Sequence, residues 1–260
     1  NSQKKGSSHY NRNRHRRFCS RSPACMGSGV IRERKGQCLT YSTIGFVIDA
    51  MKSILIRLAA CLIFSQHLYL IEAEEEPYTL LVFGDSLSAS YGMNEDDGWV
   101  TLLAKRLQTE NWPYQVVNGS ISGETTTGGL SRLPAMLDAY HPDLVILELG
   151  GNDGLRGLPL DTLKQNLIRM IDIIETTGGQ VLLTGIQIPP NYGPRYTVPF
   201  FQLYKEIAEE RQIPLVPFLI EGIPQQPELM QNDGIHPKAE AQYLILDNVW
   251  PFLEPGLEHN

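Results

Sequence analysis

Apolar and polar positions follow two rhythms across residues 78–253. Short, nearly continuous apolar runs occur at Thr79–Phe83, Gln115–Asn118, Leu144–Leu149, Val181–Gly185 and Leu215–Val216. Between them Trp99–Gln108, Gly129–Tyr140, Thr162–Thr176 and Phe200–Arg211 carry apolar residues near helical spacing, and Ala239–Phe252 closes the pattern. Leu163, Leu167, Met170, Ile171 and Ile174 form a one-sided helical stripe. Strand–helix alternation implies a parallel sheet covered by helices on both faces. The predicted fold class is therefore α/β, a three-layer α/β/α sandwich around a parallel five-stranded sheet. Punctuation agrees with it: Gly178-Gly179 follows the third helix, and Pro142 and Pro214 stand just before strands. The longest irregular stretch is Gln187–Pro199, with Pro189, Pro190, Gly193, Pro194 and Pro199. Loops of that length inside a compact domain are often functional.

Charge divides the chain near residue 73. Residues 1–73 carry 12 Lys+Arg against 3 Asp+Glu, a net +9, whereas residues 74–260 carry 10 against 26, a net −16. Residues 1–50 show neither period and are expected to be a basic, non-globular segment, or translated sequence upstream of the true start. Met51 opens another pattern: Lys52 and Arg57, the apolar run Leu58–Phe64, the polar Ser65-Gln66-His67, then Leu68–Ile71. This is the order of an export signal, with Ala73 a plausible cleavage point, and residues 51–73 are read as a signal peptide. The run is too short and too broken for a bilayer span, which takes ~20 apolar residues. Residues 74–260 then form one exported domain, periplasmic or secreted, with no stable membrane insertion and expected to be a monomer. Its acidic balance lacks the basic stripe of a nucleic-acid binder.

Cys19, Cys25, Cys38 and Cys61 all precede residue 74, so the domain has neither a disulfide nor a thiol nucleophile. Cys19, Cys25 and Cys38, with His9 and His15, lack paired zinc-ligand spacing. No metal and no cofactor are expected.

The chemistry gathers at strand ends. Gly84-Asp85-Ser86-Leu87 follows the first strand, and ligands of open α/β sheets collect at strand carboxyl ends. A serine hydroxyl is a poor nucleophile unless a base sits within hydrogen-bond reach. Asp233-Gly234-Ile235-His236-Pro237 supplies one, with an aspartate three residues before the histidine. Gly123, within Ser120–Thr126, follows the second strand, and Asn152, within Gly150–Gly154, follows the third. In a parallel sheet these loops emerge at one edge. Taken singly, each has a plainer reading: Asp-Ser as a helix cap, Gly150–Asp153 as a turn, His236-Pro237 as a helix start. No Gly-x-Ser-x-Gly is present, which sets aside the α/β-hydrolase nucleophile elbow.

In order, Gly84-Asp85-Ser86-Leu87, Gly123, Gly-x-Asn-Asp at 150–153 and Asp-x-x-His-Pro at 233–237 resemble the four blocks of the SGNH (GDSL) hydrolases. The longer runs Gly84–Tyr91, Ser120–Gly123 and Leu149–Gly157 are similar to the thioesterase I, lysophospholipase L1 and arylesterase branch. The resemblance covers about residues 78–255 and implies the flavodoxin-like fold of that family. It implies an exported serine esterase acting on acyl or aryl esters, thioesters or lysophospholipids, with a small-molecule or lipid ester as its partner. Ser86 would attack the carbonyl, His236 would carry the proton, and Asp233 would orient the imidazole. The Ser86 and Gly123 backbone N–H groups and the Asn152 amide would meet the oxyanion, Gly123 having no Cβ to hinder the approach.

The resemblance also implies that the loop after the fourth strand covers an acyl chain, with Ile188, Pro189 and Leu155 against the substrate and Leu158 nearby. Phe200 and Phe201 suit a channel or the core equally, and Met230 and Ile235 go either way. Asp85 and Asp153 read as structural hydrogen-bonders. Two alternatives stay open: a carbohydrate O-deacetylase on the same scaffold, and a non-catalytic ligand-binding relative.

Overall fold

The computed structural model describes residues 40–68 and 76–257, and the chain divides into two units between Ala73 and Glu74. The first unit contributes one helix, α1 (Thr40–Leu68). Residues 40–50, aperiodic in the sequence, are therefore helical. Every side chain from 45 to 62 is exposed, so no stripe marks a buried face, and one-sided periodicity had nothing to report. No helix among the described residues is long and apolar enough to cross a membrane. The remainder of the basic segment and the expected cleavage point at Ala73 lie outside the described residues.

The second unit begins with β1 (Tyr78–Gly84), α2 (Trp99–Thr109), β2 (Tyr114–Asn118) and α3 (Thr126–Tyr140). It continues with β3 (Leu144–Glu148), α4 (Gly151–Leu155), α5 (Leu160–Thr176) and β4 (Gln180–Thr184), then α6 (Pro194–Arg211), β5 (Leu215–Val216) and α7 (Gln242–Leu253). The five strands pair in parallel in the order β2-β1-β3-β4-β5. All five coincide with the apolar runs of the sequence to within a residue.

The apolar runs are continuous because both sheet faces are covered, and period 2 sorts their side chains between two cores. Leu80, Val82, Leu144 and Ile146 join Leu103 and Leu107 of α2 and Ile245 and Val249 of α7. Leu81, Phe83, Val145 and Leu147 face the other way, onto Leu133 of α3, the stripe of α5, and Phe200, Leu203 and Ile207 of α6. The result is the three-layer sandwich expected.

Two local features differ from the sequence expectation. The irregular stretch is shorter than Gln187–Pro199, because α6 already starts at Pro194. Proline is tolerated in a first helical turn, where its missing N–H would be unsatisfied anyway, and Phe200 and Tyr204 anchor the helix in the core. Pro199 lies inside that helix. The segment Gly151–Leu155, which reads as a loop, forms the short helix α4.

Strand order reverses between β1 and β3, since the chain moves from β1 outward to β2 and then back across to β3. The carboxyl ends flanking such a switch point form a crevice where ligands bind. Ser86 follows β1 and Asn152 follows β3, so both stand at that crevice.

The fully buried Leu167 of α5 tests the second core. Leu167→Ala should destabilise the full chain by about 2–5 kcal/mol, the usual span for deleting a core leucine. Urea unfolding would read it as a lower midpoint at unchanged slope.

Candidate active site

The loop carrying Asp233 and His236 is closed at its base by an antiparallel bridge between Met230 and Pro237. Gln231 N donates to His236 O at 2.8 Å and Lys238 N to Leu229 O at 2.7 Å. Within the loop, Asp233 Oδ1 accepts the backbone N–H groups of Ile235 at 2.9 Å and His236 at 3.0 Å. Its Oδ2 lies 2.7 Å from His236 Nδ1. An aspartate can turn its own loop in this way through local side-chain to backbone bonds, and the second oxygen is left for the imidazole. His236 Nε2 stands 2.8 Å from Ser86 Oγ.

Residues 86, 233 and 236 are thus one hydrogen-bonded chain across 150 positions of sequence. Burial pushes the Asp233 carboxyl up, but the His236 side chain, the two backbone N–H groups and the imidazole charge outweigh it, bringing the carboxyl down to about 2. It stays ionised at neutral pH beside Nδ1.

Ser86 is held from behind by two acids. Glu148, at the end of β3 and fully buried, accepts the Asp85 N–H at 3.0 Å and the Ser88 hydroxyl at 2.8 Å. These anchors flank Ser86 on both sides. A Cβ on Gly84 would collide with the Glu148 carboxylate, so the glycine before the Asp-Ser pair makes room for this acid. Asp85, 2% exposed, accepts Leu87 N at 3.1 Å on Oδ1 and the Asn152 amide Nδ2 at 3.1 Å on Oδ2. Asp85 therefore orients Asn152, whose amide keeps a second N–H.

Asp153 accepts the Thr126 N–H at 2.8 Å and the Thr126 hydroxyl at 2.6 Å, tying α4 to the start of α3. Gly123 is exposed on the neighbouring loop. Its φ of +80° is the left-handed region that favours glycine, and a Cβ there would meet nothing within 4 Å. Conformation of the turn, rather than crowding by the protein, calls for glycine. Arg156 Nη2 donates to Gly123 O at 3.0 Å. Arg132 stacks on Phe83, bonds Gly119 O at 2.6 Å and pairs with Glu124 at 2.8 Å.

Leu155, Ile188 and Pro189 line a small apolar pocket of about 50 Å³ with Ser86, Asn152 and Ile235. Beyond Ile188 and Ile235 a cavity of about 390 Å³ continues between Phe218, Met230 and Pro224. Tyr192 and Tyr196 pin the overlying segment by donating to Leu155 O at 2.8 Å and Leu158 O at 2.7 Å. Leu158 takes no part in the lining of either space. Phe200 is wholly buried in the second core, whereas Phe201 borders a further opening beside Ile188 and Val198.

Sequence reading missed Glu148, Arg132, Arg156 and Tyr91, whose ring lies 4.4 Å from the His236 ring. Only Glu148 carried a signal, as a single acid inside an otherwise apolar strand.

Burial raises the Asp85 carboxyl to about 6 against the opposing Leu87 N–H, His236 charge and Asn152 amide. Burial, with the neighbouring Asp85 charge, raises Glu148 well above the usual range. Both acids bind protons more tightly folded than unfolded. Their contribution to stability is thus complete below about pH 4 and is lost as pH rises, through about 6 for Asp85 and through the raised value of the Glu148 carboxyl. Glu148→Gln should make stability fall less steeply from pH 4 to pH 8 than in the unmodified chain. Urea unfolding across that range checks it, and parallel curves would refute the assignment.

Residues 82–244 match the model of the GDSL-like lipase/acylhydrolase family. Esterase TesA of Pseudomonas aeruginosa is 51% identical over 190 residues, which cover 73% of this chain and 94% of the relative. Thioesterase 1/protease 1/lysophospholipase L1 of Escherichia coli K12 is 42% identical over 182 residues, or 70% and 86% of the two chains. The crystal structure of TesA matches with a TM-score of 0.67 at 53% identity, covering 69% of this chain and 99% of that one. The chain belongs to the GDSL-like lipase/acylhydrolase family, the SGNH hydrolases, and within it is a carboxylic ester hydrolase of the esterase and thioesterase branch.

Proposed function

We propose that the protein is an exported serine esterase that hydrolyses acyl and aryl esters through an acyl-enzyme on Ser86. The observation that carries this reading is the chain from Ser86 Oγ through His236 to Asp233, with both imidazole nitrogens within 2.8 Å of a partner. His236 Nε2 takes the Ser86 proton as Oγ adds to the ester carbonyl. Asp233 holds the tautomer that leaves Nε2 free and stabilises the imidazolium that forms.

The oxyanion is met by the N–H groups of Ser86 and Gly123 and the Asn152 amide, donors fixed before the charge appears. Collapse expels the alcohol or thiol with the proton from His236. Water then adds to the acyl-Ser86 as His236 takes its proton, and collapse frees the acid while His236 returns that proton to Ser86 Oγ. Every step is a proton transfer or acyl transfer that these side chains can perform unaided.

The acyl group lies against Leu155, Ile188 and Pro189, and the adjoining cavity supports chains longer than acetyl. The relatives bear the names esterase and thioesterase 1/protease 1/lysophospholipase L1, which supports a broad range of acyl esters, thioesters and lysophospholipids. Export rests on the basic, apolar and polar order of residues 51–73 and places the domain in the periplasm or outside the cell.

Treatment with a fluorophosphonate followed by peptide mass spectrometry should find one adduct, on Ser86, that disappears in His236→Ala. Folded protein without an adduct would instead mark a ligand-binding relative that has lost turnover. A series of p-nitrophenyl esters from acetate to octanoate should retain activity beyond acetate. Activity confined to acetate would contradict the acyl pocket and favour O-deacetylation.

A further inference from the structure

The geometry points to Tyr91 as the residue that receives the leaving group, a ring platform selecting aromatic alcohols; this rests on the triad reading above. Proton delivery fixes where the two halves of an ester lie. His236 Nε2 must hand its proton to the departing oxygen, so that oxygen sits beside the imidazole while the acyl half occupies the pocket of Leu155, Ile188 and Pro189. Tyr91 does not border that pocket. Its ring packs instead on the imidazole, centroids 4.4 Å apart and planes at 38°, and remains 48% exposed.

Tyr91 also borders an open depression of about 570 Å³ with polar and apolar lining in nearly equal share, formed with Met93, Gln231, Asn232, Asp233 and Lys238 and touched by neither Ser86 nor His236. An alcohol leaving past His236 passes beside the tyrosine ring that packs on the imidazole and can meet its exposed part as an apolar surface.

The backbone of Tyr91 is also held in place, which fixes where its side chain starts. Its N–H donates to Ser86 O at 3.3 Å. Its carbonyl accepts Gln231 Nε2 at 2.9 Å, and the same nitrogen donates to Pro237 O at 3.1 Å. Gln231 therefore clamps the serine segment to the histidine loop with Tyr91 between them. A platform fixed before binding costs little ordering when a second ring stacks on it. Aromatic pairs stack offset or edge-to-face, which an aryl leaving group can achieve on the exposed part of the ring.

The test compares two acetates whose leaving groups have comparable acidity, phenyl acetate and hexafluoroisopropyl acetate, using the full chain, Tyr91→Phe and Tyr91→Leu. Tyr91→Leu should lower kcat/KM for phenyl acetate about 3- to 10-fold more than for the alkyl ester, the range that a lost aromatic pair gives. Tyr91→Phe should keep the discrimination, since it keeps the ring. Both esters form the same acetyl-enzyme, so the differential loss must appear in acylation and not in the single-turnover rate of deacylation. Equal losses for both esters and for deacylation would overturn the proposal and leave Tyr91 a support for His236. No change in the ratio would overturn it as well. Diisopropyl fluorophosphate, which has no ring, separates this failure from a deeper one: if it leaves Ser86 of the unmodified chain unlabelled, the triad reading itself falls.

Discussion

The Glu148 carboxyl closes the gap between the ends of β1 and β3, and the site is built outward from it. It accepts the N–H of Asp85 and the hydroxyl of Ser88, so the two positions that bracket Ser86 are fixed from one buried point. Burying an acid is expensive unless it is hydrogen-bonded or protonated; Glu148 Oε2 accepts both hydrogen bonds while Oε1 has no protein partner among the described residues, and the carboxyl holds its proton more tightly than a free one. Without that anchor the turn after β1 would be an ordinary exposed loop. With it, Ser86 is presented at the switch point of the sheet in one position.

The proposed oxyanion donors Asn152 and Gly123 are held on the same principle, by side-chain partners of their own. Asp85 fixes the Asn152 amide, Arg156 holds the Gly123 carbonyl, and Arg132 binds the Gly123 loop to Gly119 and Glu124. Asp153 joins the start of α3 to α4, which ties the elements that follow β2 and β3. Donors fixed in advance need no reorganisation as charge develops, and that is where their catalytic value lies. The histidine loop is rigid for a different reason: a backbone bridge at its base and Asp233 inside it leave the imidazole few alternatives.

Much of this was legible in the sequence. The apolar runs at Leu80–Phe83 and Leu144–Leu147 announce strands buried on two faces, and the stripe of α5 announces a helix with one. Because parallel strands send their following loops to a common edge, the order of Ser86, Gly123, Asn152 and His236 already implied that they could meet.

What stayed hidden was set by tertiary contact. Glu148 looks misplaced in its strand until Gly84 is seen to leave room for it. The start of α6 at Pro194 was masked by a cluster of prolines that discourages a helical reading, while burial of Phe200 and Tyr204 holds the helix. Tyr91 and Gln231 lie 140 positions apart, and no local pattern couples them. The helical side chains at 45–50 are all exposed, so periodicity gave no sign of them.

Rapid-quench mass spectrometry during turnover of p-nitrophenyl acetate tests the central claim most directly, that one serine fixed between two strand ends carries the acyl group. The predicted result is a single acetyl on the peptide containing Ser86, formed as fast as p-nitrophenol is released in the first turnover and absent from Ser86→Ala. Acetylation at another residue, or undiminished turnover by Ser86→Ala, would contradict it.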